Sequence, residues 1–162
     1  MPIKEGETIP AVGLVEMVEG APTPVQSTEL GAGRKIVIFA VPGAFTPTCS
    51  AKHVPGFLKN TAALRAKGVE EIVCVSVNDA FVMNAWGEAQ GVGSDIRMVA
   101  DGNGDLASAL GLEMDGSKFG MGTRSQRFAM ILQDNRVEKL LVESGPGLSA
   151  SSAESVLEHL AG

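Results

Sequence analysis

The chain has 162 residues, 44% hydrophobic and 20% charged, with 13 Lys and Arg against 19 Asp and Glu for a formal net charge of -6. That length suits one domain with a proper core and leaves little room for a second, so residues 1–162 are expected to fold as a single unit. The acidic balance argues against non-specific binding to nucleic acid or acidic membranes, and no apolar run nears the ~20 residues of a membrane span.

The first residues, Met1 to Thr8, show neither a basic stretch nor an apolar one, so the compartment expected from the sequence is the cytoplasm. Two short extended patterns follow, Val12–Val18 and Thr23–Gln26, which predict a hairpin at the front of the domain. Lys35–Val41 is a β-branched apolar run that predicts a buried strand, ended by Pro42 and Gly43. Thr46 and Pro47 then carry a helix-start signal, with Thr46 as N-cap and Pro47 at the first helical position. The helix is expected to run towards Gly68 with a kink at Pro55, keeping its period through Leu58 and Ala62.

Glu70–Val77 predicts a second buried strand, and Asn78-Asp79 caps a helix over Ala80–Gln90 whose apolar face is Phe81, Val82, Ala85 and Trp86. Ile96–Ala100 is a third strand, followed by a brief helix through Leu110. Gly111 to Gln126 reads as a glycine-rich loop. Arg127–Gln133 and Val137–Val142 flank Asp134-Asn135-Arg136 as a hairpin, and Ser149–Ala161 makes a last amphipathic helix facing inward through Val156, Leu157 and Leu160. Alternating strands and helices closed by a hairpin and helix give an α/β sandwich.

Cys49 lies three residues after the Thr46 cap. A thiol there meets free backbone N–H groups and the positive end of the helix, and is expected to titrate below its free value of about 8.5. A small buried hydrophobe at a helix start is the plainer reading. The only other cysteine, Cys74, is not in a Cys-x-x-Cys pair with it, and two cysteines are too few for a disulfide scaffold.

Other motifs fail on inspection. Asp101-Gly102-Asn103-Gly104-Asp105 opens like a calcium loop but has leucines at positions 106 and 112, where glycine and glutamate are needed. The glycines of 116–122 lack a nucleotide-binding register, and no Gly-Lys-Ser/Thr follows. With His53 and His159 the only histidines, the sequence offers no metal site and no cofactor.

The segment Pro42–Ser50, continuing through His53-Val54-Pro55-Gly56-Phe57, resembles the peroxidatic-cysteine segment of type II peroxiredoxins, the peroxiredoxin-5 group. The similarity extends through Ser76–Met83 and Arg124–Met130. It implies a thioredoxin-like fold, a central mixed sheet flanked by helices with an N-terminal hairpin extension. It also implies a thiol-dependent peroxidase that reduces hydrogen peroxide and alkyl hydroperoxides at Cys49 without metal, haem or flavin, and a homodimer. Pro42, Thr46, Cys49 and Arg127 match the family's active-site set. Arg127 opens an apolar strand and so needs an anionic partner, unless it is an exposed strand-end charge; Arg124 competes for its role.

His53, one turn after Cys49, either tunes the thiolate or packs the helix. Phe45, Phe81 and Phe119 match aromatic positions of the family near the pocket and dimer contact, but by residue type alone they are core. The sulfenic acid left on Cys49 needs a second thiol. Cys74 resembles the second cysteine of plant-type members, yet sits mid-strand in an inert-looking run, so glutathione, glutaredoxin or thioredoxin remains the other route. A thiol–disulfide oxidoreductase, or a redox sensor or holdase, on the same fold are the rival readings.

Overall fold

The structure, a computed structural model, describes residues 2–145 and 148–160. Strands β1 (Gly13–Val18) and β2 (Ala21–Gln26) pair antiparallel as the front hairpin, and β2 leads into a short helix, α1 (Ser27–Gly31), that the sequence did not announce. Strand β3 (Lys35–Val41) is followed by a π-helical turn (Cys49–His53), α2 (Val54–Lys59), α3 (Thr61–Ala66) and β4 (Glu71–Ser76). Next come α4 (Ala80–Gln90), β5 (Arg97–Ala100), α5 (Asp105–Leu110), β6 (Glu113–Asp115), β7 (Thr123–Ser125), β8 (Phe128–Gln133), β9 (Arg136–Val142) and α6 (Ala153–His159).

Seven strands form one mixed sheet in the order β2-β1-β5-β4-β3-β8-β9. Its centre, β3, β4 and β5, is parallel; β8 adds antiparallel to β3, and β9 antiparallel to β8. Every residue of β3 after Lys35 is buried, as expected of a strand covered on both faces. The period of two sorts its side chains into two cores. Val37, Phe39 and Val41 join Ile72 and Cys74 of β4 beneath α2, α4 and α6. Ile36, Ile38 and Ala40 join Val73 and Val75 on the opposite face with Leu30, Leu106 and Leu110. Phe39 and Cys74 are register partners, so Cys74 lies in the same core as Cys49.

Several expectations held in detail. The Asp79 carboxylate accepts from the Val82 N–H at 2.8 Å and starts α4 at Ala80. Asp134 and Asn135 both take positive φ, 50° and 65°, as a two-residue hairpin turn requires.

Others need correction. The helix after Cys49 is not continuous: a π turn opens it, and Asn60 (φ -103°, ψ 11°) breaks it again. Its buried stripe is Val54, Phe57, Thr61 and Leu64, while Ala62 is exposed. Helix α4 buries Ala80, Met83, Trp86 and Gly87, leaving Phe81 63% exposed. The stretch 111–126 is not all loop, because β6 and β7 pair within it. The last helix begins at Ala153, where the Ser152 hydroxyl accepts from the Ser155 N–H, and residues 149–151 form a turn before it. Ala161, at the expected end of that helix, lies outside the described residues.

Candidate active site

Strand β3 delivers the chain to Pro42 at the carboxyl end of the parallel strands, where open α/β sheets place their sites. A tight turn follows in which Phe45 adopts φ 64°, and the Ala44 N–H is held by the Asn78 side-chain oxygen at 3.0 Å. Gly43 allows this close passage. A Cβ on it would lie 3.1 Å from both Arg124 and Thr46 and 3.2 Å from Met121. The π turn then begins at Cys49, and the Trp86 indole N–H donates to the Ser50 hydroxyl at 2.9 Å, tying that turn to α4.

Arg127 comes from the other direction. Because β8 runs antiparallel to β3 with Ala40 opposite Phe128, the residue just before β8 arrives where β3 gives way to Pro42. Its guanidinium, only 7% exposed, donates from Nη2 to the Cys49 sulfur at 3.1 Å. The group that Arg127 meets at the head of its strand is thus the cysteine sulfur, in place of a carboxylate. Thr46 Oγ1 lies 2.8 Å from the same sulfur and 2.7 Å from the Gly43 carbonyl. A hydroxyl has one hydrogen, so it serves one acceptor at a time. Among the described residues these two side chains are the sulfur's hydrogen-bond partners, in place of the first-turn N–H groups expected from the sequence. Thr46 serves the sulfur rather than capping the helix with its side chain.

Arg124 takes a different position. Its Nε donates to the Met121 carbonyl at 3.0 Å and its Nη1 to the Pro42 carbonyl at 3.3 Å, so it braces the loop without touching sulfur. His53 does not touch sulfur either. Its Nδ1 accepts from Arg127 Nη1 at 2.9 Å, and its Nε2 lies 2.9 Å from the Ser151 carbonyl. Arginine can only donate, so the ring is neutral with its proton on Nε2. Burial, together with the neighbouring guanidinium, holds it down to about 4.

Pro42, Thr46, Phe119, Met121, Gln126 and Arg127 line an open pocket of about 740 Å³ above the buried sulfur. Cys74 is fully buried on the same face of the sheet, and burial pushes its thiol well up. Both cysteines are free. The three phenylalanines matched to the family's aromatic positions are not core: Phe45 is 55% and Phe119 79% exposed, and Phe81 lies open on α4. No group of three or more potential metal ligands occurs among the described residues, and no helix among them is long and apolar enough to cross a membrane.

One residue of this neighbourhood escaped the sequence reading. Glu143, just after β9, gathers Ser149 and Ser151 around its carboxylate. Its local signal is weak: an acid ending an apolar strand, followed by a serine-rich stretch.

The Redoxin family model matches residues 4–157. The chain is similar to peroxiredoxin-2E-2, chloroplastic, of Oryza sativa subsp. japonica, at 49% identity over 98% of this chain and 72% of the relative. It is 51% identical to peroxiredoxin-2B of Arabidopsis thaliana over 81% of each chain. Reduced Prx3 of Vibrio vulnificus, solved in complex with H2O2, superposes with a TM-score of 0.94 at 48% identity, covering 98% of this chain and 99% of that one. The α/β fold is thus thioredoxin-like, as the sequence resemblance implied. The cytoplasmic expectation does not stand, because the rice relative is a chloroplastic protein. It rested on the bulk character of eight residues, which encodes no compartment.

Proposed function

We propose, for a chain that belongs to the redoxin family as a type II peroxiredoxin and is a thiol-dependent peroxidase, that Cys49 attacks the peroxide and that Arg127, Thr46 and Pro42 build the niche around it. The observation that carries this reading is one buried sulfur held between a guanidinium at 3.1 Å and a hydroxyl at 2.8 Å, under an open pocket.

The thiolate attacks the terminal oxygen of the hydroperoxide. The S–O bond forms as the O–O bond breaks; sulfur supplies the electron pair, and the departing alkoxide or hydroxide takes a proton and leaves as alcohol or water. Cys49 is left as a sulfenic acid. Positive charge and N–H donors fixed before the reaction stabilise the leaving oxygen as its charge develops, the most effective kind of assistance in a site from which water is excluded. Arg127 is suited to this because it lines the pocket and its guanidinium already touches the sulfur. Pro42 adds an apolar wall, and its carbonyl is held by Arg124.

A second thiol then attacks the sulfenic sulfur and releases water, and another regenerates Cys49. External reductants, glutathione with glutaredoxin or thioredoxin, fit this step best. Cys74 is fully buried in mid-strand, and a disulfide demands Cα atoms within about 7 Å and unopposed side-chain vectors. A homodimer is the expected assembly, and the exposed Phe45 and Phe81 supply an apolar surface for it. Sedimentation of the wild type against a Phe81→Ser variant tests that assembly.

Stopped-flow oxidation by hydrogen peroxide tests the chemistry. Cys49→Ser should abolish the fast phase, and Arg127→Ala should slow it by roughly two to three orders of magnitude. A wild-type rate in Arg127→Ala would remove the arginine from the reaction. An internal disulfide in intact-mass spectra of peroxide-treated protein, lost in Cys74→Ser, would replace the external route with Cys74.

A further inference from the structure

Arg127 is tied to the molecule at both its backbone and its side chain, and the two ties meet. The Glu143 N–H donates to the Arg127 carbonyl at 3.0 Å. The Glu143 carboxylate then collects four donors from the turn before α6. Oε2 accepts from the Ser149 N–H at 2.8 Å and from the Ser151 N–H and hydroxyl, both at 2.7 Å; Oε1 accepts from the Ser149 hydroxyl at 3.1 Å. So held, the Ser151 carbonyl accepts a hydrogen bond from the His53 Nε2–H at 2.9 Å, and His53 Nδ1 accepts one from the Arg127 guanidinium at 2.9 Å. The path closes on the residue where it began.

From this closed circuit we infer that Glu143, Ser151 and His53 act as a positioning relay that aims the Arg127 guanidinium at the Cys49 sulfur. The inference rests on the reading of Cys49 and Arg127 given above. An arginine side chain is rich in rotamers, and its five N–H donors can serve many partners. This one has a single orientation because its second N–H group has only one acceptor to find, and that acceptor is prevented from turning. The ring of His53 is wedged against Phe39 and Phe57, with centroids 4.8 and 5.6 Å away. The Ser151 carbonyl fixes which ring nitrogen carries the proton. Without Glu143 the turn loses its four anchors, the carbonyl drifts, and Nδ1 no longer offers its lone pair in the right place. Ser151 and His53 are almost wholly buried, so water does not stand in for the missing bonds.

The test is a double-mutant cycle on the full chain. Glu143→Ala and His53→Phe are made singly and each in combination with Arg127→Ala. His53→Phe keeps a ring between the phenylalanines and removes the acceptor, so it serves even where Glu143→Ala fails to fold. Each single variant should slow Cys49 oxidation by hydrogen peroxide on the order of tenfold to a hundredfold, the usual consequence of misplacing a reacting group by about an ångström. Each should also shift the rise of thiolate absorbance near 240 nm to higher pH. Neither should slow Arg127→Ala further, because a positioning group has nothing left to position. Slowing that multiplies across the two substitutions, or an unchanged rate in His53→Phe, overturns the relay. A wild-type rate in Arg127→Ala alone would instead overturn the role of the arginine on which the relay rests.

Discussion

Acid should weaken this fold through one ring. His53 is held near 4 in the folded state against an ordinary value of 6.5, first by burial and then by the Arg127 guanidinium, with the Ser151 carbonyl and the Glu143 charge pulling the other way. Between those values the unfolded chain binds a proton that the folded chain refuses. Stability is therefore complete above about pH 6.5, falls as pH drops through the window, and levels off below about pH 4. At about 1.4 kcal/mol per unit, a gap of about 2.5 units contributes about 3 kcal/mol between about pH 7.5 and pH 4. That is a large share of the roughly 5–15 kcal/mol that holds a domain of this kind. Urea titrations at the two pH values, followed by fluorescence of the single, buried Trp86, measure it. His53→Phe should lose about 3 kcal/mol less than the wild type over the same interval. Carboxylates shared by both proteins cancel in the comparison, Glu143 among them; burial pushes it up, but the bonds from Ser151 and Ser149 outweigh that and leave it lowered. Parallel losses within about half a kcal/mol would show that His53 takes up its proton in the folded chain, and the neutral-ring account would fall.

Three further outcomes follow from the same geometry. Thr46→Val should slow sulfenate formation by roughly tenfold to a hundredfold while Thr46→Ser keeps most of it, and equal rates for all three proteins would leave the hydroxyl without a role. Arg124→Ala, which removes the braces on the Pro42 and Met121 carbonyls but no contact with sulfur, should cost at least about tenfold less rate than Arg127→Ala; the reverse order would move the chemistry to Arg124. In the folded, reduced protein iodoacetamide should label Cys49 and leave Cys74 untouched until urea opens the sheet, because Cys49, though equally buried, lies against Thr46 and Arg127, which line the open pocket, whereas Cys74 sits inside the sheet with a raised thiol; labelling at equal rates would contradict this difference.

The strand order of the sheet was not legible, yet much of what feeds it was. Asp79 before an apolar-periodic run, Asp134-Asn135 between two apolar strands and Pro42-Gly43 after β3 are local chemistry, and local chemistry is written in neighbouring letters. Helix α4 shows where that ends. Of the expected apolar face, Phe81, Val82, Ala85 and Trp86, only Trp86 is buried; Ala80 and Met83 join it on the covered side, and only the packing partner decides which side that is. The exposed Phe45, Phe81 and Phe119 fail for the same reason: hydrophobicity favours burial without guaranteeing it. Within the site, Cys49 and Thr46 were visible because they lie three positions apart. Arg127 followed from its awkward place at the head of an apolar strand, and from family resemblance. His53 was noticed for its spacing from Cys49, but its partner proved to be Arg127, 74 residues away. Glu143 reaches serines six and eight residues on and touches Arg127 through its backbone, a link that no spacing rule conveys.

The hydroxyl of Thr46 has one further consequence. It faces the Gly43 carbonyl and the Cys49 sulfur at nearly the same distance with a single hydrogen to give, so whenever the sulfur carries negative charge the carbonyl loses the hydroxyl and keeps only the Thr46 N–H at 3.4 Å. The amide stretch of Gly43 is thus a built-in reporter of the sulfur's charge. Infrared difference spectra of protein carrying a carbonyl isotope label at that glycine would register each ionisation and oxidation at Cys49, with no dye or foreign group in the pocket.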